Sequence, residues 1–184
     1  MSLRKQTIIA VLLSLAIILH LFEALIPIPF PIPGVKLGLA NIVTLLALVL
    51  FDFKTAFLIA FLRTMLGSLL SGTIFNIAFF LSFAGAISST CFMAILLFLL
   101  PPIFHHDDRG FSLVGISIGG AAAHNLGQLA MAALLIKHSG IFYYLPIMLL
   151  SSIPTGFLTG LILRELIKYM KLSGQLEIQQ WNQL

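Results

Sequence analysis

Few side chains in this chain could do chemistry, and nearly all of them interrupt long apolar runs. Glu23, Asn41, Arg63, Asn76, His124, Asn125 and Gln128 each stand inside or at the edge of such a run, and Lys36 stands just before one. Ionisable and amide side chains are costly to bury in lipid, so they usually face a cavity or a partner. His124 and Gln128 are four residues apart and share a helix face, with Asn125 beside them. His20 lies one turn before Glu23 on another such face. A few polar anchors in an apolar surround is the composition of a small-molecule site. The competing reading is structural: an ion pair of Glu23 with Lys36 or Arg63, and a packing hydrogen bond for His124. The residue types alone leave both open.

Catalytic patterns are missing. The chain has no G-x-x-x-x-G-K-[ST] loop to cradle a nucleotide and no H-E-x-x-H pair to hold zinc. His105, His106, Asp107 and Asp108 cluster on paper, but they fall in a short turn between Pro102 and Arg109 and read as solvated. The aspartates do not continue into the D-D-x-x-D pattern with which prenyl-diphosphate synthases hold magnesium and diphosphate. The expectation is a non-enzyme with no cofactor and no metal.

The elements that must position these residues follow from hydropathy. Of 184 residues, 60% are hydrophobic and 9% charged, with a mean hydropathy of +1.12, whereas a soluble domain is about a quarter charged. A helical span needs roughly 20 apolar residues. The sequence predicts an all-α membrane protein of six transmembrane helices, over about 7–26, 37–51, 55–70, 74–100, 111–136 and 142–169. These form a single integral membrane domain, 1–184, with a polar tail at 171–184. The first apolar run has no small-residue cleavage site and reads as a span rather than a signal peptide. Cys91 is the one cysteine, so no disulfide framework exists.

Between the first two spans, Pro27, Pro29, Pro31 and Pro33 alternate with apolar residues. Proline fixes φ and biases the residue before it toward extended geometry. The spacing predicts an extended arm carrying Phe30 and ending at Gly34 and Lys36, either one wall of a pocket or a stiff connector. With the N-terminus inside, seven of the ten basic residues fall on the inner side: Arg4, Lys5, Lys54, Arg109, Arg164, Lys168 and Lys171. Lys36 and Lys137 fall outside, and Arg63 lies within a span. This asymmetry predicts cytoplasmic termini and an outward arm, and the net charge of +4 needs no nucleic acid to explain it. Small residues recur every fourth position at Ser82, Ala86 and Thr90, at Gly115, Gly119, Ala123 and Gly127, and at Ser152, Gly156 and Gly160. Such stripes let helices approach closely in lipid, so the last three spans should pack together. Pro154 should kink the sixth.

The stretch PGVKLGLANIVTLLAL, with Glu23 and Pro27 upstream, resembles the signature of the Gx transporter family, also described as heptaprenyl diphosphate synthase component I. That family is similar to the substrate-binding S-components of energy-coupling factor (ECF) transporters, and the resemblance covers nearly the whole chain. It implies capture of a small organic nutrient or precursor, such as a vitamin, near the outer surface of a bacterial plasma membrane. The ligand would be walled by the first outer loop and spans 4 to 6, and Glu23, Phe30, Lys36, Asn41, Arg63, Asn76, His124, Asn125 and Gln128 are the residues offered to it. The implied partners are a transmembrane scaffold subunit and a pair of ABC-type ATPases. In S-components an Ala-x-x-x-Ala face on span 1 meets the scaffold; here the positions are Ala10 and Ser14, and the serine departs from the pattern while staying small. The alternative is a non-catalytic membrane subunit associated with a prenyl diphosphate synthase of isoprenoid or quinone metabolism.

Overall fold

Helices are the only way an isolated apolar segment can satisfy its own backbone in lipid, and the chain is built from them. The computed structural model describes residues 3–25, 38–98 and 112–172, with side chains as far as 170. The proline arm, the charged loop at 105–109 and the polar tail beyond 172 lie outside these residues, and the first two residues assigned to the tail continue the last helix. The elements are α1 (Leu3–Leu25), α2 (Asn41–Leu50), α3 (Phe53–Leu70), α4 (Ile77–Phe98), α5 (Leu113–Ile136), a short 3-10 helix (Ser139–Tyr144) and α6 (Leu145–Leu172). The protein is an all-α membrane protein. Among the described residues, α1, α3, α4 and the run from the 3-10 helix through α6 are each long and apolar enough to cross a bilayer. α5 has 24 residues, long enough to cross, but carries the His124, Asn125 and Gln128 patch.

The second span is shorter than its hydropathy implies. The run from 37 to 51 is apolar apart from Asn41 and Thr44, but Gly38 takes φ +83° and the helix begins only at Asn41. The Asn41 N–H donates to the Gly38 carbonyl at 2.9 Å, closing the turn that starts it. The fourth span likewise starts at Ile77 rather than 74, because residues 71–76 form a turn that includes Phe75 at φ +59°. The sixth is divided into the 3-10 turn and α6, with Pro154 inside the latter.

Helix ends are held by side chains. Asp52 caps α3 by accepting from the Thr55 N–H at 2.8 Å. It also pairs with Lys5 at 3.5 Å, whose ammonium lies 5.3 Å from the centre of the Phe51 ring. This ties the start of α1 to the α2–α3 turn. Ser112 caps α5 through the Gly115 N–H at 3.1 Å.

α2 is the central strut. Eight of its ten residues are buried, and it touches each of the other five helices. Around it, the most extensive packing is α4 on α5 and α5 on α6, the two seams that the small-residue stripes mark. Gly160 lies so close to α5 that a Cβ there would stand 2.6 Å from the Val114 Cα. One added at Gly156 would strike the Ile118 Cα and lie 2.8 Å from its nitrogen. One at Gly127 would meet the Ala84 carbonyl of α4 at 2.7 Å. The α5–α6 seam is a backbone-to-backbone contact, whereas Gly119 and Gly120 of α5 receive the Phe92 and Met93 side chains of α4. Ser117 and Thr159 add a buried hydroxyl pair across the α5–α6 seam at 2.7 Å. Apolar side chains turn outward elsewhere, including Val11, Ile18 and Phe22 of α1 and Leu150, Phe157 and Ile162 of α6, as lipid-facing surfaces do.

Two measurements check this packing. Gly156→Ala must push backbone apart rather than a side chain aside, so it should cost about 1–3 kcal/mol, the usual range for overpacking, seen as a lower melting temperature in detergent. Asp52 supplies the second. The Thr55 backbone N–H holds its carboxyl below the ordinary carboxylate range; partial burial opposes this, and Lys5 reinforces it. A depressed folded pKa contributes stability that is complete above the unfolded value and is lost as pH falls through the folded one. Asp52→Asn keeps a capping side chain but removes the charge, so its melting temperature should fall less than the wild type's between about pH 5 and about pH 3. Asp52→Ala should lose about 1 kcal/mol near neutral pH through the cap alone.

Candidate functional site

The polar residues of four helices meet at the head of α2. Glu23, near the end of α1, is 3% exposed, and its Oε1 accepts from two successive backbone N–H groups, those of Gly38 and Leu39 (the latter at 2.8 Å). A carboxylate is suited to this because it satisfies donors that the turn before α2 leaves without helical partners. Glu23 also acts electrostatically on Arg63, the guanidinium buried in the middle of α3. The direct partner of Arg63 is Asn41: Nη2 donates to Asn41 Oδ1 at 2.8 Å. The same oxygen accepts from Ser89 Oγ of α4 at 3.2 Å. Asn41 therefore joins α2, α3 and α4 through one atom.

α5 supplies the remaining wall. His124 is 3% exposed and Gln128 wholly buried. Two glycines make room for the imidazole. A Cβ at Gly38 would come within 3.3 Å of the ring's Cγ and Cδ2 and 2.8 Å of Asn41 Nδ2; one at Gly85 would come within 2.8 Å of Cε1 and 2.9 Å of Gln128 Cγ. The ring is thus seated between the turn before α2 and the face of α4. His20 is seated similarly, its Cδ2 2.5 Å from where a Gly67 Cβ would stand on α3.

Four of the residues picked out from sequence, Glu23, Asn41, Arg63 and His124, therefore meet at the head of α2, and Gln128 lies one turn along α5 beside Gly85. Two others do not. Asn76 is exposed, and its side chain accepts from the Ile77 N–H at 2.7 Å, serving the start of its own helix. Asn125 is buried, but its amide donates to the Met148 carbonyl of α6 and serves the seam. Phe30 and Lys36 lie outside the described residues. Ala10 and Ser14 sit on an exposed face of α1, and Ser14 donates to the Ala10 carbonyl at 2.9 Å, so its hydroxyl is used within the helix. The sequence reading missed Ser89, Gly85 and the backbone donors of Gly38 and Leu39. The L-G-L-A-N run was the available signal for the last pair, since glycine favours the positive φ that aims them.

This arrangement holds its polar groups in fixed positions. Its carboxylate is gripped by backbone, its guanidinium by an amide, and its imidazole is held between glycines. The fold and site define an all-α membrane protein organised around a buried polar cluster that its central helix carries at its head. A family model described as heptaprenyl diphosphate synthase component I matches residues 12–166. The chain belongs to that family. No curated protein and no solved structure matches it.

The grip of Glu23 can be measured directly. Glu23→Ala strands two backbone donors, at about 1–3 kcal/mol for each that stays buried. Amide exchange at Gly38 and Leu39 should accelerate at least about tenfold, with Glu23→Gln intermediate. Unchanged protection would mean that other groups hold this turn.

Proposed function

We propose that this chain is a non-enzymatic membrane subunit that captures a small organic molecule, acting as the S-component of an ECF-type importer. The observation that carries the reading is the convergence of Glu23, Asn41, Arg63 and His124 from four helices around the head of α2, with Gln128 one turn along α5 from His124. Packing alone gives little reason to collect a carboxylate, a guanidinium, an imidazole and an amide at one helix end. In this reading the chain lies in a bacterial plasma membrane with both termini cytoplasmic, and the site takes a nutrient or precursor from outside. A scaffold subunit docks on the Ala10/Ser14 face of α1, and a pair of ABC-type ATPases powers the cycle. The exposed face and the internally bonded Ser14 hydroxyl support that docking: the surface is small and its one polar group is already used.

The family's description favours a second reading, and supports it more directly than it supports transport. Under it the chain is a non-catalytic membrane subunit of a prenyl diphosphate synthase, and catalysis belongs to a separate partner. Affinity purification from native membranes separates the two. Transport predicts recovery of a transmembrane scaffold with ATPase subunits, lost when Ala10→Trp and Ser14→Trp are combined. The synthase reading predicts recovery of a soluble prenyl-transferring subunit. Recovery of the synthase without any ATPase would overturn the importer assignment.

A further inference from the structure

The buried cluster has a polarity, visible in which of its hydrogen-bonding atoms are committed. Two of its acceptor oxygens are in use: Glu23 Oε1 receives two backbone N–H groups, and Asn41 Oδ1 receives both Arg63 and Ser89. Its donors are not all in use. Among the described residues, Asn41 Nδ2 and Arg63 Nε have no hydrogen-bond partner, although Asn41 is 6% exposed and Arg63 2% exposed. Stranding a buried donor costs about 1–3 kcal/mol, more for a charged group, so two at one place amount to an unmet demand for an acceptor. Thr44, Ser68 and Ser82 also carry buried hydroxyls without partners, but a hydroxyl can donate or accept and does not set the sign.

Geometry places one of these donors. Asn41 Nδ2 stands 2.8 Å from where a Gly38 Cβ would be, beside the edge of the His124 ring, so both groups border the bare Gly38 backbone. Oδ1 on the other side of the amide is fixed by Arg63 and Ser89, so the NH2 cannot turn away without breaking both bonds. We infer that this site takes a ligand through an acceptor oxygen, a carboxylate or carbonyl, received by Asn41 Nδ2 and the Arg63 guanidinium. A ligand whose only polar groups are donors, such as an amine, finds no acceptor uncommitted at Asn41 Oδ1 or Glu23 Oε1. The inference rests on the ligand-capture reading and names the chemistry it would select.

Three probes of one shape test it on the purified full-length chain. Benzoate offers an anionic acceptor, benzamide a neutral one, and benzylamine a cationic donor on the same apolar body. Benzoate and benzamide at millimolar concentration should raise the melting temperature by about 2–4 °C, and benzylamine should not. Asn41→Asp keeps the Oδ1 that Arg63 and Ser89 use and replaces the donor with an acceptor, so both responses should vanish. Should that variant not fold, Arg63→Lys keeps the cation, removes Nε, and should shrink the benzoate response at least about threefold. A shift with benzylamine, no shift with any probe, or a wild-type response in Asn41→Asp that melts normally without ligand would each overturn the acceptor assignment. Capture itself is judged separately, by the ATPase co-purification, so the two can fail independently.

Discussion

A guanidinium buried in the middle of a membrane helix has to be accommodated before anything else can pack, and Arg63 imposes that requirement here. Its solution is Asn41, placed at the head of α2 by the Gly38 turn, with Glu23 near enough to act on the same charge. Those contacts fix where α2 begins, which face it turns to α3, and how α1 closes over its head. Because α2 touches every other helix, settling its position settles much of the bundle. The glycine seams of α4, α5 and α6 then complete the packing from the opposite side.

This division of labour explains what the sequence made legible. The seams could be read because close helix approach in lipid demands small side chains at a fixed period, and Gly127, Gly156 and Gly160 meet backbone. Arg63 and Glu23 could be read because a charge in an apolar run needs a reason. Asparagines were harder. Asn41 and Asn76 both stand at helix starts, but only the second spends its side chain on its own helix. His124 and Asn125 are adjacent, yet successive residues on a helix point about 100° apart, so one faces α4 and the head of α2 while the other faces α6. Ser89 was invisible for a different reason. Serines in apolar helices commonly bond their own preceding turn, as Ser89 also does with Ala86 at 3.1 Å, and nothing in its neighbours marks the second contact.

Family membership and geometry answer different questions. The description attached to the family concerns the company such a chain keeps, whereas the cluster concerns what the chain itself can hold. They are compatible at the level of a membrane protein described as one component of a larger synthase.

The brevity of α2 has an electrical consequence. Ten residues rise about 15 Å, half of a hydrocarbon layer about 30 Å thick. Asn41 starts that helix, and Arg63 stands ten residues into α3 from the end where α2 stops, so with the α2–α3 turn at a membrane surface the pair would sit near half depth. Moving one elementary charge across the whole membrane is worth about 2.3 kcal/mol per 100 mV. An anion travelling from either surface to that depth crosses roughly half of this drop, about 1 kcal/mol per 100 mV. Occupancy by a charged ligand would therefore follow the membrane voltage, and occupancy by a neutral carbonyl compound would not.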